Sequence, residues 1–227
     1  TETLSFCIKV MPALYIITGS NGAGKSSVGP EYLPQHLQKS VFDGDKLFMQ
    51  KRSELWIGGI KSHKECKKLA AEVVENTFDK LVESSLNEMS DFAYEGHFTN
   101  DATWSIPQKF KDAGYNIHLI FFGLTDTALS ETRVIARAKE GGHYVDPITI
   151  TSNFYGNLEK LDKYFHIFNS VTIMDTSGIE HIGLVKIEDG TLFSAIPFNE
   201  LPQWFTNNLP QITAKIIETE NTTNFTS

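Results

Sequence analysis

Apolar residues along this chain follow two rhythms. Short, nearly continuous apolar runs occur at Ala13–Thr18, Ile117–Phe122 ("IHLIFF") and Val171–Asp175 ("VTIMD"). Runs of that kind read as strands buried on both faces, as in a parallel sheet. Two further short strands are expected at Ser40–Phe42 and at Asp91–Gly96 ("DFAYEG"). The second rhythm is helical. From Ser62 to Met89 the apolar positions Cys66, Leu69, Ala70, Val73, Val74, Phe78, Leu81, Val82, Leu86 and Met89 recur at three and four. That spacing predicts one long amphipathic helix. Shorter helices are expected from about Lys25 to His36, over 101–113, over 126–139 and over roughly 147–168.

Strands and helices therefore alternate through residue 175, which implies a mainly parallel sheet with helices on both faces. Beyond it, "GLVKIEDGTLFSAI" is two alternating runs around Asp189-Gly190, a hairpin signal. The stretch Glu200–Ile217 reads as helical, interrupted by Pro202 and Pro210, and the polar residues after it (218–227) as a frayed tail. One domain is expected, with its core over 11–178 and a hairpin and helix over 179–217. "MPALYII" at Met11 reads as a natural start, so residues 1–10 are expected to be a peripheral extension.

Composition narrows the function classes. The formal net charge is −8 and hydrophobic residues make up 41% of the 227 positions. An acidic chain argues against nucleic acid as a main partner, because phosphate neutralisation needs clustered Lys and Arg. The one basic cluster, Lys61, Lys64, Lys67 and Lys68, reads as a solvated helix face. Two cysteines, Cys7 and Cys66, make no disulfide framework and no metal-ligand spacing, which fits a reducing, cytoplasmic setting. No apolar run approaches the roughly 18 residues of a transmembrane helix, and no signal-peptide pattern opens the chain.

The clearest chemistry lies between the first strand and the first helix. Gly19-Ser20-Asn21-Gly22-Ala23-Gly24-Lys25-Ser26 matches G-x-x-x-x-G-K-[ST] in full, followed by Ser27. Glycines let backbone N–H groups surround a phosphate, and the following helix adds its positive end. Lys25 supplies a cation for the terminal phosphates, and Ser26 a hydroxyl for Mg²⁺. The implied ligand is ATP (or GTP) with Mg²⁺. The implied fold is α/β, a P-loop NTPase-type three-layer fold with a five-stranded sheet and a C-terminal hairpin and helix.

Open α/β sheets bind ligands at the carboxyl ends of their strands. The second strand ends in Asp43-Gly44-Asp45 and the third in Glu95, beside Gly96 and His97. A kinase needs a carboxylate to take the acceptor's hydroxyl proton. Asp45 is the expected base, with Asp43 and His97 around the acceptor and Glu95 either an acceptor contact or an indirect Mg²⁺ ligand. The "DGD" stretch also reads as a turn. Arg133 and Arg137 share one face of a helix that ends in Gly141-Gly142, and a hinged lid there would bring Arg137 onto the γ-phosphate. Lys139 and His143 are further candidates on the same lid.

These residues also carry a resemblance. "MPALYIITGSNGAGKSS", "FDGDKLF", "FAYEGHFTN" and "RVIARAKEGGHYVDPITITSNFYGNL" resemble the zeta-toxin-like P-loop kinases, over about residues 11 to 178. The resemblance implies phosphorylation of a UDP-activated sugar, UDP-N-acetylglucosamine, and a small antitoxin partner. It places Lys25 and Ser26 on ATP and Mg²⁺, Asp45 as general base, Glu95 on the substrate and Arg137 on the transferring phosphate. Two positions depart from the family pattern. Thr99, another substrate-side candidate, stands where an arginine is expected, and Ser152-Asn153 stand in the second arginine's place. A threonine cannot reproduce an arginine's two-pronged contact. Two functional readings follow: a small-molecule kinase, and a nucleotide-binding regulatory module with little turnover.

Overall fold

The computed structural model describes residues 11–194 and 196–224. Its strands are β1 (Ala13–Gly19), β2 (Phe42–Asp43), β3 (Phe92–Glu95), β4 (Asn116–Gly123), β5 (Ser170–Asp175), β6 (Ile182–Glu188) and β7 (Thr191–Ser194). They form one seven-stranded sheet in the order β2-β3-β1-β4-β5-β6-β7. The first five run parallel, and the β6–β7 hairpin continues the sheet antiparallel from β5. The hairpin thus covers the β5 edge. Its two turn residues, Asp189 and Gly190, have φ of 45° and 78°, the two positive values that a tight two-residue turn requires.

Helices connect the parallel strands and pack on both sheet faces. They are α1 (Lys25–Val28), α2 (Gly44–Ile57), α3 (His63–Glu88), α4 (Ser105–Asp112), α5 (Thr127–Lys139) and α6 (Pro147–Tyr164), followed by α7 (Gln203–Asn208) and α8 (Pro210–Asn224). Ile16 of β1, Leu119 of β4 and Val171 of β5 lie side by side in register, all buried. That row explains the continuous apolar runs: a parallel strand under helices has no wet face.

Four elements differ from expectation. The helix expected to reach His36 ends at Val28 and passes into a 3-10 turn over Gly29–Tyr32. Pro30 has no N–H for a helical bond, and a Cβ at Gly29 would stand 2.8 Å from Ile17 Cγ2, so the chain tightens against β1. Helix α2 was not expected at all. Asp43 caps it, its Oδ1 accepting from the Lys46 N–H at 2.9 Å, and none of its residues is fully buried. It therefore shows no apolar stripe, and "DGD" is a helix start rather than a turn. Helix α6 stops at Tyr164, short of 168. Helix α8 runs on to Asn224, through positions expected to form a frayed tail. The expected extension over 1–10 and the last three residues lie outside the described residues.

Candidate active site

The phosphate loop leaves β1 at Gly19, where φ is 129° and a Cβ would collide with the Phe122 carbonyl of β4. Gly22, at φ 75°, is crowded too, since a Cβ there would come 2.9 Å from Arg133 Cβ. Only glycine fits either position. The loop is held from outside as well. The Ser130 hydroxyl donates to the Asn21 carbonyl, and Thr176 Oγ1 donates to the Ala23 carbonyl at 3.0 Å. Ser27 Oγ donates back to the Gly24 carbonyl at 3.1 Å, and the buried Ser20 hydroxyl has no hydrogen-bond partner among the described residues.

Lys25 folds over this loop. Its Nζ donates to the Gly19 carbonyl at 3.0 Å and to that of Ser20 at 2.9 Å, and the residue is only 6% exposed. Burial lowers its pKa, and the Arg137 charge lowers it further, while Glu95, Asp45 and Asp43 oppose the shift. Ser26 Oγ donates to Glu95 Oε2 at 2.6 Å. Burial raises the Glu95 pKa, with Asp43 and Asp45 adding to the rise, against Lys25 and the Ser26 bond.

A cavity of about 300 Å³ opens above the loop. Lys25, Ser26, Asp43, Asp45, Glu95 and Arg137, all expected site residues, line it together. Arg137 reaches it from the end of α5, its Nη2 donating to the His143 carbonyl at 3.1 Å. His143 lines the same cavity, and Lys139 does not. A second cavity of about 450 Å³ lies between β3, α2 and α3. Asp45 and Glu95 line both, so the two carboxylates stand where the cavities meet.

Asp43, Thr99 and Arg133 are held by other contacts. Asp43 lines the phosphate cavity, but one of its oxygens is committed to capping α2. Thr99 does not line the larger cavity. It sits against α6, where a Cβ at Gly156 would come 3.1 Å from Thr99 Cβ, so it stands away from the acceptor side. Arg133 donates to the Thr176 carbonyl at 2.7 Å and the Ser177 carbonyl at 2.8 Å, and reaches the Gly22 carbonyl at 3.5 Å, fastening α5 to the end of β5 beside the phosphate loop.

Other residues were not foreseen. Lys46, on the first turn of α2, lines the phosphate cavity as a further cation. Asn153, in the place of the expected arginine, donates to Asn21 Oδ1 at 2.9 Å. Asn157 accepts from the Phe98 N–H at 2.7 Å and donates to His97 Nδ1 at 2.9 Å. His97 Nδ1 therefore accepts and its Nε2 carries the proton. No local sequence signal marks these asparagines, which become neighbours of the loop only through the packing of α6 on β1.

Oxygen donors suit a hard divalent cation. The Ser26 hydroxyl and the Glu95 carboxylate beside it fit Mg²⁺ bound mainly through nucleotide phosphates and water. Among the described residues no group of three or more His, Cys, Asp or Glu forms an all-protein metal site.

A buried strand, a phosphate loop and acidic ends on the neighbouring parallel strands define a P-loop kinase-type fold. The chain belongs to the zeta toxin family, whose model matches residues 6–182. Among solved structures, the AvrRxo1-ORF1:AvrRxo1-ORF2 complex with sulphate ions superposes with a TM-score of 0.64 at 14% identity, over 88% of this chain and 64% of that one. The same complex with ATP gives 0.63 at 14% identity, over 92% and 64%. The PezAT chromosomal toxin–antitoxin system of Streptococcus pneumoniae gives 0.55 at 20% identity, over 92% and 87%. This chain thus spans 64% of the AvrRxo1 chain's length. At these identities the likeness is one of fold. No curated protein matches the chain significantly by sequence.

Proposed function

We propose that this protein is an ATP- and Mg²⁺-dependent kinase that moves the γ-phosphate to a hydroxyl of a small molecule. The observation that carries this reading is the position of Asp45 and Glu95 at the junction of the phosphate cavity and the larger cavity. Asp45 takes the proton of an acceptor hydroxyl held in the larger cavity. The acceptor oxygen then bonds to the γ-phosphorus. The bond from the γ-phosphorus to the bridging oxygen breaks, and its electron pair leaves with ADP. Lys25, Arg137 and Lys46 balance the charge on the transferring group. Mg²⁺, when bound beside Ser26 and Glu95, supplies further charge neutralisation.

Incubation with Mg²⁺·ATP and a low-molecular-weight metabolite fraction, followed by mass analysis, tests this. The reading predicts a product heavier by one phosphoryl group with wild type and none with Asp45→Ala. ATP binding with no product from any fraction would leave a nucleotide-binding regulatory module, the reading that Asn153 in the second arginine's place favours. The PezAT likeness supports a small antitoxin as protein partner. No helix among the described residues is long and apolar enough to cross a membrane, and the cytoplasm, where ATP is plentiful, is the proposed setting.

A further inference from the structure

The larger cavity has a chemistry of its own. Phe42, Phe48, Val74, Phe78, Phe98 and Ile106 supply most of its wall. The rings form a connected set, with Phe42 and Phe78 centred 5.1 Å apart and Phe78 and Tyr94 5.3 Å apart in an edge-on contact. The charged residues lining it are Asp45, Glu75 and Glu95, all acidic. Among the described residues, no lysine or arginine lines it. Arg52 approaches the Phe48 ring at 6.0 Å but lines a neighbouring groove instead.

His97 supplies no positive charge either. The Asn157 side-chain amide donates to its Nδ1 at 2.9 Å, so that nitrogen carries no proton. Its Nε2 lies 3.5 Å from the Asn21 side-chain amide of the phosphate loop.

We infer that the acceptor is a non-anionic alcohol with an apolar, ring-sized body, neutral or carrying an ammonium group. This rests on the kinase reading of the same site. A nucleoside diphosphate sugar would bring two phosphates among three carboxylates with no lysine or arginine on that wall to meet them, which Coulomb repulsion opposes. An apolar body fills the aromatic wall, and an ammonium group gains from Glu75 at the mouth.

Three probes with one benzylic hydroxyl and one ring separate the cases: phenylethanolamine (a cation), styrene glycol (neutral) and mandelate (an anion). Each is titrated into the full chain with Mg²⁺ and a non-hydrolysable ATP analogue already bound, with ligand-observed NMR as readout. The cation and the neutral diol are expected to bind at least about tenfold tighter than mandelate, a modest share of a close charge–charge interaction. UDP-N-acetylglucosamine is expected not to displace them. Ala71→Arg, at an exposed position on the cavity wall, is expected to raise mandelate affinity about threefold or more. Equal or tighter binding of mandelate, displacement by the sugar nucleotide, an unmoved mandelate affinity in Ala71→Arg, or no binding of any probe would overturn the inference.

The two levels fail separately. Phosphorylation of UDP-N-acetylglucosamine would uphold the kinase and refute this acceptor class. The expected ranking, with no transfer from ATP to any hydroxyl, would uphold the cavity's selectivity and refute the kinase.

Discussion

The Ser26 hydroxyl lies 2.6 Å from Glu95 Oε2, so the phosphate loop and the end of β3 are joined by one short hydrogen bond. Parallel pairing makes this possible. Ile17 of β1 is in register with Glu95, and Ser26 returns over that strand end on α1. Replacing Glu95 with Gln keeps the shape and removes the charge proposed to assist Mg²⁺. Nucleotide binding is expected to survive, while the Mg²⁺ concentration for half-maximal transfer rises roughly tenfold or more, in line with losses seen when supporting groups around a metal are removed. A Mg²⁺ titration of the transfer rate checks it.

The two aspartates of "DGD" divide the work. Asp43 caps α2 and so fixes the turn that carries Asp45 and Lys46. Asp43→Ala is expected to cost about 1 kcal/mol of stability, as lost caps do, with a smaller loss of rate than Asp45→Ala. Urea midpoints and transfer rates measured on the same samples give both numbers.

His97 sets a pH signature. Burial is the main reason its pKa lies well below 6.5, with Lys25 adding to the shift. Below 6.5 the unfolded chain takes up a proton that the folded protein refuses, so stability falls as pH drops through this window. His97→Gln removes that uptake. Its melting temperature is expected to decline less steeply than that of wild type from pH 6.5 downward. His118 shifts in the same direction but is present in both proteins, so the difference between the curves belongs to His97. Parallel curves would contradict the assignment.

Arg133 holds α5 to the end of β5 through two carbonyls. Arg133→Lys keeps the charge but cannot serve the Thr176 and Ser177 carbonyls with one planar fork. A loss of about 1–3 kcal/mol is expected by denaturation, because hydrogen bonds from charged donors are lost and carbonyls are left unpaired. ATP affinity should change little. A large fall in affinity at unchanged stability would place Arg133 at the nucleotide instead.

The strands and the loop were legible because their signals are local. β1, β4 and β5 are apolar on both faces, the glycines sit where positive φ or a close carbonyl demands them, and Asp189-Gly190 can only turn. Helix α2 was hidden because no face of it is fully buried, and α1 was over-read because its start signal outweighed Gly29-Pro30. The site split in the same way. Lys25, Ser26, Asp45 and Glu95 lie at strand or helix ends that the pattern locates, and they converge as expected. Thr99 enters through the family pattern and Arg133 through its spacing from Arg137, and neither says which way a side chain faces. Lys46, Asn153 and Asn157 enter the site through the packing of α2 and α6, and the larger cavity is assembled from residues between Phe42 and Ile106. No window of sequence contains that arrangement.

Asp45 is proposed to perform proton transfer and not nucleotide binding. Calorimetric titration of Mg²⁺·ATP into wild type and Asp45→Asn, beside the rate of phosphoryl transfer by both, tests it most directly. ATP affinity within about threefold of wild type and a transfer rate lower by about 10²-fold or more is the predicted result, the range a general base commands. Undiminished transfer by Asp45→Asn, or a rate that falls only in step with ATP affinity, would contradict it.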